Sequence, residues 1–216
     1  MILKLKDQDF DLLPERAFYW PQEKILGLSD IHPGKAFTLQ QSGIPVPSSD
    51  TEELLKIAQL ISDYQPTWVF ILGDFIHNKN SWNQQLFNEV SAFFGELKDI
   101  EWNLIIRNHE RGSIDFLKLL PINIIEGDFK IGSFTLSHGH LKNTSATFTI
   151  QGHVHPVTTI RDGSTKLRLP YFVVSSDTMT IPSFGDLTGG FEMIPQENEK
   201  IFAVTSDSVF EMPRFI

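Results

Sequence analysis

An α/β fold, with one β-sheet packed on another and helices outside, is what this sequence predicts, and three observations carry the prediction. The front half alternates short apolar runs with stretches of helical periodicity. After Pro121 the pattern changes to short, glycine-punctuated alternating runs. The histidines do not scatter but gather just beyond the strand-like runs. The length of 216 residues fits one domain over 1–216, since no Pro/Gly/Ser-rich linker, internal repeat or low-complexity segment divides it.

Taken in order, Met1 to Asp7 alternates apolar and charged residues like an edge strand and lacks the apolar stretch of a secretory signal. Ile25-Leu26-Gly27-Leu28-Ser29 reads as a buried strand stopping at Asp30. Thr51 to Tyr64 spaces Leu54, Leu55, Ala58, Leu60 and Ile61 as a helix does, with Ser49 or Asp50 as its N-cap. Trp68 to Leu72 is a second buried strand, stopping at Gly73-Asp74, and Ser81 to Leu97 a second helix. Trp102 to Ile106 is a third strand, ending just before Asn108. Strand, helix and strand in succession imply parallel pairing, which brings Asp30, Asp74 and Asn108 to one sheet edge, where open α/β proteins place their ligands. The later β signals are Phe134–Ser137, Phe148–Gln151, Leu167–Leu169, Tyr171–Val174 and Phe202–Val204.

Composition narrows the function. Without cysteine there is no disulfide, no thiolate ligand and no cysteine nucleophile, so any metal is held by nitrogen and oxygen. A formal charge of −9 argues against a broad basic surface of the kind that tracks nucleic acid, though bound divalent cations can make a cleft locally attractive. The longest apolar runs fall far short of the roughly 20 residues a membrane span requires. No membrane association and a cytoplasmic location are therefore expected. Neither a Walker A loop nor a GxSxG elbow is present.

All seven histidines lie beside aspartate, asparagine or glycine: Asp30-Ile31-His32, Gly73-Asp74-Phe75-Ile76-His77, Asn108-His109-Glu110, His138-Gly139-His140 and Gly152-His153-Val154-His155. Imidazole nitrogens with carboxylate or amide oxygens are the donors that borderline and hard divalent ions prefer, so the pattern points to a metal site. Taken singly each cluster is weak, because an Asp-x-His is more often a turn followed by a surface histidine. The ordered set carries the weight.

That series, DxH, GDxxH, NHE, a lone histidine and GHxH, resembles the calcineurin-like metallophosphoesterases. Glu15-Arg16-Ala17-Phe18-Tyr19-Trp20-Pro21, Gly34-Lys35, Gly43-Ile44-Pro45-Val46-Pro47 and His155-Pro156 are similar to one bacterial subgroup, the ligase-associated DNA damage response endonucleases. The resemblance implies a four-layer α/β/β/α sandwich and a dinuclear centre. Asp30, His32 and His155 would hold one ion, Asn108, His138 and His153 the other, and Asp74 would bridge both. One carboxylate between two ions suits a separation of roughly 3.5–4 Å, the spacing that clamps attacking and leaving oxygens of an in-line displacement, with a bridging hydroxide as nucleophile. His109 would face the scissile phosphate and protonate the leaving alkoxide, with Glu110 orienting it. The resemblance further implies Mn²⁺ as the metal, with Fe²⁺ or Zn²⁺ as alternatives, a phosphodiester substrate that includes single-stranded DNA, and a DNA ligase and a helicase as functional neighbours.

Several positions stay open. Only one of His138 and His140 need be a ligand, the family pattern favouring the first and leaving the second to hydrogen-bond substrate or the cluster. His77 is either beside the substrate or a plain helix-start histidine. Lys35 and Arg111 are candidates for phosphate oxygens, although isolated loop cations are more often solvated. Trp82 is either near substrate or a helix-packing residue. Arg107 stands where the family has glycine, and it either distorts the second half of the site or brings a guanidinium to the phosphate. Two other functions compete: a phosphoesterase for a small nucleotide-like ester, which suits the acidic surface, and a metallophosphoesterase-fold scaffold without activity, against which the retained histidines argue.

Overall fold

The structure, a computed structural model, describes residues 1–47, 50–76, 83–107, 114–139, 147–162 and 165–213. Its first sheet runs β1 (Ile2–Leu5), β2 (Gln8–Leu12), β3 (Phe18–Trp20), β4 (Ile25–Leu28), β5 (Trp68–Ile71), β6 (Glu101–Ile106) and β7 (Asn123–Glu126) in spatial as in chain order. β1 to β4 form an antiparallel meander, and β4 to β7 pair in parallel. The strands expected at Ile25, Trp68 and Trp102 are thus three neighbours of the parallel half. Cover on both faces explains why they read as continuous apolar runs.

α1 (Lys35–Gln41) and α2 (Asp50–Tyr64) follow β4, α3 (Gln84–Glu96) follows β5, and α4 (Ile114–Leu117) follows β6. The second expected helix starts later than Ser81, because Asn83 caps it: its side chain accepts from the Leu86 N–H at 2.8 Å. Ser49, the other N-cap candidate of α2, lies outside the described residues.

The second sheet takes the order β14 (Phe191–Glu192), β11 (Pro156–Asp162), β12 (Thr165–Val174), β13 (Thr178–Thr180), β10 (Phe148–Gln151), β9 (Phe134–Ser137) and β8 (Phe129–Ile131). β15 (Lys200–Val204) pairs with β12, and β16 (Val209–Glu211) with β15. The two runs expected on either side of Pro170 are one strand, β12. Pro170 sits where β12 passes from its β11 partner, opposite Val157, to its β15 partner, and a residue without an N–H is tolerated at such a handover.

Between the sheets lies an aromatic-rich core of Phe10, Phe18, Trp20, Phe70, Phe134, Phe148, Phe172 and Phe202, joined by Leu72, Leu136 and Ile150. Phe10 packs on Trp20 and Phe134 with ring centroids 4.9 and 5.1 Å apart. Gly27 makes room for this core, since a Cβ there would fall 2.2 Å from the Phe18 ring. The outer face of the first sheet packs Leu26, Leu28, Val69, Ile71, Leu104 and Ile106 under Leu54, Ile57 and Ile61 of α2 and Leu86, Val90 and Phe94 of α3. The outer face of the second sheet carries a small cluster of Leu169, Ala203 and Met212, to which no described helix contributes. No described helix is long and apolar enough to cross a membrane.

Candidate metal centre

Parallel pairing of β4 with β5 puts Asp30 and Asp74 at one edge of the first sheet, and parallel pairing of β9 with β10 brings His138 and His153 to the facing edge of the second. The first-sheet register continues past the strand ends, through Leu72 N–H to Leu28 O (2.8 Å), Asp30 N–H to Gly73 O (3.2 Å) and His32 N–H to Asp74 O (3.4 Å). The chain then turns sharply. Asp30, His32, Asp74, His153 and His155 all have positive φ, between 44° and 70°, a region that L-residues with a Cβ enter at a cost of about 1–2 kcal/mol each. Strained backbone at the candidate ligands themselves marks where packing overrides local preference.

The motif glycines allow the sheets to close at this edge. A Cβ on Gly73, itself at φ 84°, would lie 1.8 Å from His138 Nδ1, and one on Gly152 would lie 2.5 Å from Ser29 Cβ.

Donor atoms converge in two adjoining groups, Asp30 with His32 and His155, and Asp74 with His138 and His153. In the first, Asp30 is fully buried, and its Oδ2 accepts from Ser29 Oγ and, at 3.0 Å, from the His153 N–H. Its other oxygen, Oδ1, faces His155 Nε2 at 2.9 Å, and neither atom meets solvent or makes a regular hydrogen bond. The Nδ1–H of His155 donates to the Gly189 carbonyl at 3.0 Å, and that of His138 to the Leu72 carbonyl at 2.8 Å. A carbonyl only accepts, so each ring is fixed as the tautomer that leaves Nε2 with its lone pair for the centre. In the second group His138 Nε2 lies 3.1 Å from His153 Nδ1 and 3.5 Å from Asp74 Oδ1. Asp74 Oδ2 reaches back to within 3.9 Å of His32 Nε2, so this carboxylate stands between the groups. Buried and half-buried nitrogen and oxygen donors facing one another, two of the imidazoles oriented by carbonyls, fit a pair of divalent ions.

Asp30 and His155 favour each other's charged forms. Burial pushes the Asp30 carboxyl up, but His155, Ser29 and His138 outweigh it and hold the group below the ordinary carboxylate value. Burial pushes His155 down, and Asp30, the Gly189 carbonyl and Asp74 more than reverse that. Lys35, at the start of α1, is half-buried, and burial lowers its pKa against the opposing charges of Asp30, Asp74 and Glu53.

Of the other candidates, His77, Asn108, His109, Glu110, Arg111, His140 and Trp82 lie outside the described residues. Arg107 is not among the residues with positive φ, so arginine is unstrained where the family has glycine. Its guanidinium donates to Asp128 Oδ1 at 2.7 Å.

Sequence reasoning missed the loop after β13. Phe184 N–H bonds Ser29 O at 2.8 Å, Gly185 N–H bonds Asp30 O at 3.2 Å, and Gly189 supplies the carbonyl that orients His155. Asp186 pins the loop by pairing with Arg16 and, at 2.7 Å, with Lys56 Nζ, while its N–H bonds Glu53 Oε1 at 2.9 Å. Backbone carbonyls leave no trace in a sequence; the glycines of Ser183-Phe184-Gly185-Asp186-Leu187-Thr188-Gly189-Gly190 were the available sign.

The solved structure of the Pseudomonas putida nuclease MPE is similar to this chain, with a TM-score of 0.83, 26% sequence identity and coverage of 98% of this chain and 99% of that one. Yfce, a phosphoesterase from E. coli, aligns over 86% of this chain and 95% of its own with a TM-score of 0.44 and 15% identity. Among curated proteins none matches in sequence. The calcineurin-like phosphoesterase profile matches residues 23–193, a span holding every candidate ligand, and the chain accordingly belongs to that family of metal-dependent phosphoesterases.

Proposed function

We propose that the protein is a phosphodiesterase with a dinuclear centre in which Asp30, His32 and His155 hold one divalent ion, His138, His153 and Asn108 hold the other, and Asp74 serves both. The observation that carries this reading is the placement of Asp74, with one oxygen 3.5 Å from His138 of one group and the other 3.9 Å from His32 of the other. Two ions in such a centre supply a water-derived nucleophile at neutral pH and positive charge against the phosphate. The residues of this chain do the rest. Asp30 and His155 present their donors from a buried, pre-oriented frame, and the carbonyls of Leu72 and Gly189 keep the imidazoles turned toward the centre. His109 gives a proton to the departing alkoxide, with Glu110 to orient it, and Lys35 at the rim attracts the phosphate. Mn²⁺ is the proposed metal and single-stranded DNA the proposed substrate, in a bacterial repair setting beside a ligase and a helicase. The nuclease named in the structural comparison supports a nucleic-acid substrate, and the single strand rests on the sequence resemblance.

The test is hydrolysis of bis(p-nitrophenyl) phosphate by chelator-stripped protein as Mn²⁺ is returned, followed by cleavage of single-stranded DNA. Metal-dependent turnover that drops at least about a hundredfold in Asp74→Asn is the expected result, since a shared ligand supports both ions. No turnover with any divalent ion would overturn the reading. The charge of −9 favours one second reading, a small nucleotide-like ester as substrate. Efficient cleavage of such an ester beside poor cleavage of DNA would select it.

A further inference from the structure

We propose that Phe191 is a stacking platform for a nucleobase adjoining the scissile phosphate, an inference that rests on the phosphodiesterase reading and names what its substrate carries beside the phosphate. Phe191 has 64% of its surface exposed and, among the described residues, makes no contact with another aromatic ring. It lines a hollow of 490 Å³ together with His153, Val154, His155, Gly189 and Gly190, so candidate metal ligands and the ring share one space. That volume lies within the roughly 300–1,000 Å³ of small-molecule sites.

A single exposed apolar residue is ordinarily unremarked, and Ile194, 92% exposed, is of that kind. Phe191 differs because its backbone is fixed beside the candidate ligand His155. Its N–H bonds the His155 carbonyl at 2.9 Å, and β14 pairs in parallel with β11, Phe191 opposite Pro156 and Glu192 opposite Val157. Arg168 donates to the Gly190 carbonyl, and Tyr171 Oη donates to the Met193 carbonyl at 3.3 Å. Burial, with Glu199 and Glu192, pushes the Tyr171 phenol up to about 12, so it stays a donor across the working pH range. Gly190 packs directly on Val157, where a Cβ would fall 2.1 Å from Cγ1, and a Cβ on Gly189 would meet nothing within 4 Å.

Among the described residues no lysine or arginine side chain lines the hollow. It suits a neutral, flat group while the phosphate's charge is met at the metal groups, and a nucleobase on the same diester meets both requirements.

The experiment compares wild type, Phe191→Ala and Phe191→Trp on thymidine 5′-p-nitrophenyl phosphate, on methyl p-nitrophenyl phosphate as a base-free diester with the same leaving group, and on thymine and abasic single strands. Base–aromatic stacking predicts that Phe191→Ala raises KM for the base-bearing substrates about tenfold more than for the base-free ones, and that Phe191→Trp restores it. An effect confined to the strands assigns the base to a polynucleotide; one equal on the thymidine ester assigns it to any nucleotide diester. Equal changes on base-bearing and base-free substrates, or none, overturn the proposal. Fluorescence anisotropy of labelled thymine and abasic strands, in chelator and again with Ca²⁺, reads the same contrast without turnover. If wild type hydrolyses neither ester the phosphodiesterase reading fails, while anisotropy still decides Phe191: equal binding of both strands by wild type overturns it.

Discussion

Gly73 shows how tightly single residues are specified here. It sits at φ 84° with the His138 ring where a Cβ would be, and that ring is held by the Leu72 carbonyl one residue earlier. Gly73→Ala therefore displaces His138 as well as straining the turn. We expect a stability loss of about 1–3 kcal/mol by thermal melting and a larger loss of bound metal by elemental analysis. Arg107 behaves otherwise. With an ordinary φ and a partner in Asp128, its coupling to that carboxylate should measure about 0.2–1 kcal/mol in a double-mutant cycle, and Arg107→Ala should leave metal content intact. The residues whose donors converge, Asp30, His32, Asp74, His138, His153 and His155, were legible as candidates because their chemistry is carried in side chains. The atoms that orient them, the carbonyls of Leu72 and Gly189, were not, since every residue has a carbonyl.

At the scale of elements, β4, β5 and β6 were legible because strands covered on both faces must be apolar throughout. β12 was misread as two pieces, because Pro170 ends most strands and is tolerated here only at a change of partner. β2 and β3 went unread, since Gln8–Leu12 and Phe18–Trp20 are short and bury alternate residues, a weak signal in so few positions. The loop after β13 also matters at this scale. Burial pushes the Asp186 carboxyl up, but Lys56 and Arg16 outweigh it and hold it below the ordinary carboxylate value. A depressed folded pKa means that the stabilisation is fully present above the unfolded value, near 3.9, and is lost as pH falls through the lower folded value. The melting-temperature gap between wild type and Asp186→Asn should thus be constant above about pH 5 and close below about pH 4. Glu53 bonds the backbone N–H of Asp186, which both proteins keep, so that bond cancels from the gap, and a gap that persisted into acid would overturn the assignment to the Asp186 carboxylate.

For the whole molecule, the sandwich was legible from the switch of periodicity at Pro121, whereas the distribution of helices was not. The described helices cover the first sheet, and a small cluster of Leu169, Ala203 and Met212 serves the outer face of the second. The centre lies at the seam between the sheets, so ions bound there bind the folded chain only. Saturating Mn²⁺ should raise unfolding free energy by about 2.7 kcal/mol at a hundred times Kd, and Asp74→Asn should lose most of that gain in a melting titration. The formal net charge of −9 also sets an expectation for salt. If contact with a single strand is confined to the centre and its rim, KM should rise with salt at a log–log slope below about 2, since few phosphates are neutralised.

His155 joins the two ends of this arrangement. Its ring bonds Gly189 and faces Asp30, while its carbonyl holds the Phe191 N–H. If His155 holds an ion as proposed, one residue is a party to both metal occupancy and the posture of the aromatic wall, and the two would be coupled through it. Coupling of that kind is reciprocal: whatever factor a nucleotide on the Phe191 face adds to metal affinity, the metal must return to the nucleotide.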